Sequence, residues 1–236
     1  MACLLLFVIG LRLATIKIQQ ITTTMALNRI SLMAALAAGL LASSAAQALS
    51  YDASTMGTSA PAGMSFSATG GDLGLKSRAG YTVLGVTGGK AGNEIDLGES
   101  LTLTLDNPGM ITKLVIGLLF DGPEYNDPLE TALISITTAG APAWFTLTAT
   151  GMTSATWSDP SVLVKNLSPA SSGKGAVWEL VNPFGSAQVS SITFTTGGVG
   201  SDFGLVSVNV PDTASTISLL GLSILGLAFI CRRARA

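Results

Sequence analysis

The sequence predicts an all-β fold for its central region, residues 49–209: an antiparallel β-sandwich of jelly-roll-like type. Three observations point there. Apolar side chains recur at every second residue, as in Leu101, Leu103 and Leu105 set among Ser100, Thr102 and Thr104, which is the period of a strand with one buried face. The apolar runs are short, rich in Thr, Val, Ile and aromatic residues, and divided by Gly, Pro, Asn and Asp. No stretch between them combines a 3.6-residue apolar stripe with helix caps.

In chain order, the first clear strand signal is Tyr81–Thr87, followed by Ser100–Leu105. Leu114, Ile116, Leu118 and Phe120 alternate in part with Lys113 and Gly117 and predict a third. Ala132–Thr137, Trp144–Thr148 and Val177–Val181 are further apolar runs. Ile192 and Phe194 between Ser191, Thr193 and Thr195 predict another strand, and Val206, Val208 and Val210 close the series. Two glycine-rich stretches, Gly85–Gly92 and Gly197–Gly200, read as wide turns. Neither fits a phosphate cradle, since no Lys-Ser/Thr pair and no helix start follows.

Both ends differ from this core. Residues 25–48 have the three parts of a secretory signal peptide: basic Arg29, the apolar stretch Ile30–Leu41, and the small-x-small site Ala46-Gln47-Ala48. Cleavage by signal peptidase is expected before Leu49. Residues 1–24 are read as a misassigned extension ahead of a start at Met25, because Arg12 and Lys17 interrupt their apolar character.

At the other end, 210–236 divides into a polar motif (210–216), an apolar run (217–231) and a basic tip (232–236). As a helix, the run and its uncharged lead-in from Thr213 would be about 28 Å long, just enough to cross a bilayer. Arg232, Arg233 and Arg235 would hold the tip in the cytoplasm, which places everything before the helix outside.

That three-part layout resembles the PEP-CTERM class of bacterial sorting signals, and within it the VPDSG-type variant. The match is carried by Val210, Pro211, Asp212, Ser215 and Thr216; Thr213 and Ala214 depart from the variant's Ser-Gly pair. The resemblance implies recognition by an exosortase-type membrane protease, transient membrane anchoring, removal of the helix, and a final place at the cell surface or outside the cell; the alternative is an ordinary single-span anchor without processing. The central region also looks like those of many PEP-CTERM proteins. The resembling stretches are Leu84–Gly89 through Asn93–Asp96, Phe120–Tyr125, and Val177–Leu180 through Asn182–Gly185. The class is similar to surface or matrix proteins of bacteria that secrete exopolysaccharide.

Composition restricts the chemistry. The chain has no histidine, and both cysteines, Cys3 and Cys231, fall outside the central region. Ser-His-Asp and Cys-His catalysis, and zinc or haem sites built on imidazole or thiolate, are excluded there. Between Leu49 and Asp212 lie all 14 acidic residues but six basic ones, a net charge of −8. Such a surface disfavours nucleic acid and anionic lipid.

Hard-oxygen sites remain open. Glu94 and Asp96 share one face of an extended segment, and with Asp202 they are candidate ligands for calcium. The alternative is that all three are solubility charges. Asp121–Glu130 packs four carboxylates between two apolar runs and reads as a solvated connection, with calcium again the other reading. No carboxylate pair suited to glycoside hydrolysis is visible in the linear sequence.

Of the three tryptophans, Trp144 and Trp178 lie in apolar runs and are expected in the core. Trp157 sits in a polar context and is the candidate for an exposed sugar platform, against the alternative of packing under a loop. The expected function is that of a non-catalytic exported surface or matrix protein without a cofactor. A carbohydrate-binding module and a glycan-active enzyme are the competing readings.

Overall fold

Alternating sequence makes strands whose apolar faces need a partner layer, and two antiparallel sheets supply it. Residues 48–121, 129–168 and 176–211 are described in the computed structural model. Strands β1 (Leu49–Asp52), β2 (Met64–Thr69), β3 (Leu73–Arg78), β4 (Tyr81–Val86) and β5 (Ser100–Gly109) form the first part of the chain. They are followed by β6 (Lys113–Gly117), β7 (Thr131–Thr137), β8 (Ala143–Gly151) and β9 (Ser154–Trp157). The last four are β10 (Leu163–Asn166), β11 (Trp178–Val181), β12 (Val189–Thr196) and β13 (Gly204–Val210).

The first sheet has seven strands in the order β10-β11-β6-β13-β4-β3, with β1 also on β13. The second has six, in the order β2-β5-β12-β7-β8-β9. Among the described residues the strand pairings within them are antiparallel, as the sequence predicts for a sandwich. Between the sheets lies one apolar core. Leu84, Leu114, Ile116 and Leu205 enter it from the first, and Leu101, Leu103, Ile134 and Phe194 from the second. Non-local pairing dominates: β5 meets β12, whose residues lie some ninety positions later.

Several strands depart from strict alternation, β6 and β13 among them. β6 ends at Gly117 because Leu118 takes a positive φ of 63°, so the predicted run through Phe120 does not stay extended. In β13 the register shifts between Leu205 and Ser207. This extra residue turns Val206 partly outward, while Leu205, Val208 and Val210 remain buried. Five strands, β1, β2, β3, β9 and β10, carry little sequence signal. Each is only four to six residues long.

A single helical turn, Ala53–Met56, follows β1. Asp52 starts it, its carboxylate accepting from the Ser54 backbone N–H at 2.9 Å and the Ser54 hydroxyl at 2.6 Å. Tyr51 is fully buried and ties the layers together. It lies in β1 of the first sheet, yet its ring meets Phe66 of the second edge-on at 4.5 Å. Its hydroxyl donates to the Gly57 carbonyl at 2.6 Å. Burial, with a smaller contribution from Asp52, holds the phenol far above its ordinary range.

Candidate functional site

The segment after β4 is where the acidic candidates meet the fold. Gly85 and Gly89 let it lie close. A Cβ on Gly85 would stand 2.5 Å from the Asn93 carbonyl oxygen, and one on Gly89 would stand 2.0 Å from Asp96 Oδ2. The glycine-rich stretch is therefore a tight return onto the sheet, where wide turns were expected. Ile95 then forms a bridge with Phe203, its N–H donating to the Phe203 carbonyl at 2.7 Å.

This bridge brings the backbone of Glu94 and Asp96 beside that of Asp202, as the calcium reading requires. The side chains of Glu94 and Asp96 are otherwise engaged. Glu94 is buried and pairs with Lys76 Nζ at 2.5 Å. Asp96 Oδ2 accepts the Ala91 N–H at 2.8 Å, and the Asp96 N–H donates to Glu99 Oε2 at 2.9 Å. Asp202 is buried as well. Among the described residues, no group of three or more His, Cys, Asp or Glu side chains is placed to hold a metal ion. All three acids are buried, so they are not solubility charges on an open surface.

Glu99 follows the Glu94–Asp96 cluster in the sequence, where no ligand role is expected of it. It is buried, and its carboxyl is raised above the ordinary value by desolvation and by the nearby Asp96 charge, against the lowering effect of the Asp96 N–H.

The connection Asp121–Glu130 is only partly described. Its last member corrects the solvated reading. Glu130 is fully buried, and its carboxylate accepts a hydrogen bond from the Phe120 N–H. A carboxylate so placed anchors the connection to the core edge.

The tryptophans exchange roles. Trp157 is only 6% exposed and stacks on Phe145 with ring centroids 5.4 Å apart and planes within 2°. Phe184 closes the cluster at 5.1 Å from Phe145. A ring covered in this way cannot serve as an exposed sugar platform. Its position in β9 explains why: Trp157 pairs with Leu147, an inward residue of β8. Trp144, expected in the core, is 62% exposed on β8. Within the run Trp144–Thr148, strand alternation sends Trp144 out with Thr146 and Thr148 while Leu147 goes in. Trp178 is buried as expected, its indole N–H donating to the Leu119 carbonyl at 2.9 Å.

The sorting motif begins inside the folded domain. Val210 is the last residue of β13, is buried, and pairs with Leu49 of β1. Pro211 follows directly, and with no N–H to donate it ends the ladder. Asp212, Ser215, Thr216, the run 217–231 and Arg232, Arg233 and Arg235 lie outside the described residues, as do the signal-peptide segment and Ala46. Ala48 is described and exposed, one residue before β1. Among the described residues no helix is long and apolar enough to cross a membrane.

Comparison with curated proteins finds no match. A family model described as the VPDSG-CTERM motif matches residues 209–234, so its first residues, Asn209 and Val210, are the last two of strand β13. The chain thus carries a C-terminal VPDSG-CTERM motif, consistent with a sorting domain of PEP-CTERM type.

Proposed function

We propose that the chain is exported through its N-terminal signal peptide, held briefly by a C-terminal transmembrane helix at 217–231, and processed by an exosortase-type membrane protease. The β-sandwich then remains at the cell surface or in the exopolysaccharide matrix in a non-catalytic role. The observation that carries this reading is the motif match at residues 209–234, directly continuous with the last strand. It suggests an exported protein sorted by an exosortase-type system. The fold supports the same division of the chain, since Leu49, the expected first residue of the mature protein, is also the first residue of β1. In the sequence, the candidate signal peptide precedes and the candidate transmembrane helix follows the residues that form the apolar core.

Intact-mass measurement on the cell-surface fraction of the native host tests it. The expected species begins near Leu49 and lacks the segment after about Thr216. A surface species that still carries Arg232–Ala236 would overturn the processing step and leave a permanently anchored domain.

A further inference from the structure

We propose that the outer face of the six-stranded sheet, centred on Trp144, binds an extended, uncharged polysaccharide chain. The inference deepens the reading of the protein as a matrix component and rests on it.

The face is built by alternation alone. Across β2, β5, β12, β7 and β8, the registers place Ser67 opposite Thr102, Thr102 opposite Thr193, Thr193 opposite Ser135, and Ser135 opposite Trp144. These five residues form one row perpendicular to the strands. At about 4.8 Å between neighbouring strands, the row is about 19 Å long. It ends on the indole. A parallel row runs through Ser65, Thr104, Ser191 and Thr137. None of these side chains is buried, so the face lies open.

Its composition is unusual for an open sheet face in a strongly acidic domain. The six strands together contain a single charged residue, Asp106, at the far end of β5. Solvated sheet faces are ordinarily kept soluble and unpaired by charged side chains, Lys above all. Here hydroxyls do that work and point at one another: Thr102 and Thr193 lie at 3.0 Å, and Thr131 and Thr148 at 3.1 Å. A hydroxyl can turn to donate or to accept, so such an array matches the hydroxyls of a sugar chain in either sense.

Trp144 supplies the second, independent sign. A large aromatic ring left 62% exposed contributes little to the core. Amphipathic aromatic rings are used at surfaces where one ligand face is apolar and its rim is polar, as in a pyranose ring. Charge decides between ligands. With no cation on these strands, nucleic acids and anionic polysaccharides find no counter-charge. A neutral glycan needs none.

The full chain, purified in mild detergent, tests the proposal by depletion onto insoluble neutral polymers (cellulose, a β-1,3-glucan, chitin and mannan), with alginate gel as the anionic comparison. Retention on at least one neutral polymer is expected, undiminished in 500 mM sodium chloride. Trp144→Thr preserves strand preference and the hydroxyl face, and should weaken retention about tenfold with an unchanged melting temperature. Four results would each overturn the proposal. They are no retention on any neutral polymer, equal retention of Trp144→Thr, binding confined to alginate or lost in salt, and concentration-dependent self-association abolished by Trp144→Thr. The last would make the face an interface between copies. Intact mass of the surface fraction is read in parallel, so that failed processing and failed glycan binding are told apart.

Discussion

Leu49 and Val210 face each other across the antiparallel β1–β13 pair. The residue expected to begin the mature protein thus sits opposite the residue that begins the sorting motif. Ser50 reinforces the pairing through its hydroxyl, which donates to Asn209 Oδ1 at 3.0 Å. β1 runs along the side of β13 opposite β6, over Ser207–Val210. The last residues of β13 are therefore held on both sides.

The stability of that end should depend on Tyr51. Tyr51→Ala in residues 48–211 should cost about 3–5 kcal/mol, the range for deleting a buried aromatic side chain. Tyr51→Phe keeps the ring against Phe66 and loses the bond to Gly57, at about 1 kcal/mol. Urea unfolding measures both. Equal losses in the two variants would mean that the hydroxyl, and not the ring, holds β1 in place.

Trp157 and Trp144 should behave oppositely. Trp157→Ala opens the stack on Phe145 and Phe184 and should cost about 3–5 kcal/mol, whereas Trp144→Thr should stay within about 0.5 kcal/mol. Iodide should quench the fluorescence of Trp144 and leave that of Trp157 and Trp178 largely protected. If iodide quenching persisted unchanged in Trp144→Thr, the assignment of the exposed ring would be wrong.

Glu99 gives a pH dependence of known sign. Its carboxyl is raised above the ordinary 4.5, with desolvation the largest cause. Between that value and its folded one, the folded state keeps a proton that the unfolded chain releases. The Glu99 contribution to stability is then present at acid pH and lost as pH rises through that window. Glu99→Gln can still accept the Asp96 N–H but carries no charge. Its stability relative to the parent should grow as pH rises from 4 to 7. Parallel stability–pH curves for the two would contradict this.

Lys76 compensates Glu94, whose side chain is 2% exposed. Lys76→Met should cost several kcal/mol, up to the roughly 3–5 kcal/mol of a broken buried pair, and Glu94→Gln in the same chain should recover part of it. With Glu94 so paired, millimolar calcium should raise the melting temperature no more than sodium at matched ionic strength. A larger shift with calcium, lost in Asp202→Asn, would restore Glu94, Asp96 and Asp202 as its ligands.

Alternation of apolar and polar residues along the chain predicts the period of the strands, and with it the all-β class and much of the core. Leu101, Leu103, Leu105, Ile192 and Phe194 all point inward as their alternation predicts. The chain also displays the C-terminal motif directly, since it is a linear pattern of residues, matched at 209–234. Where the pattern is uniform or interrupted, the pairing of strands in the folded chain sets which side of each strand faces in. Trp144 stands between apolar Ala143 and Phe145 and Trp157 between polar Thr156 and Ser158, yet burial follows the partner strand: Trp157 opposite inward Leu147, Trp144 opposite outward Ser135. A one-residue bulge turned Val206 aside, and such an insertion leaves no composition signal. The hydroxyl row ending on Trp144 was hidden for the same physical reason. Its members come from five strands brought side by side by non-local pairing, and a period of two along one strand says nothing about which strand will lie beside it.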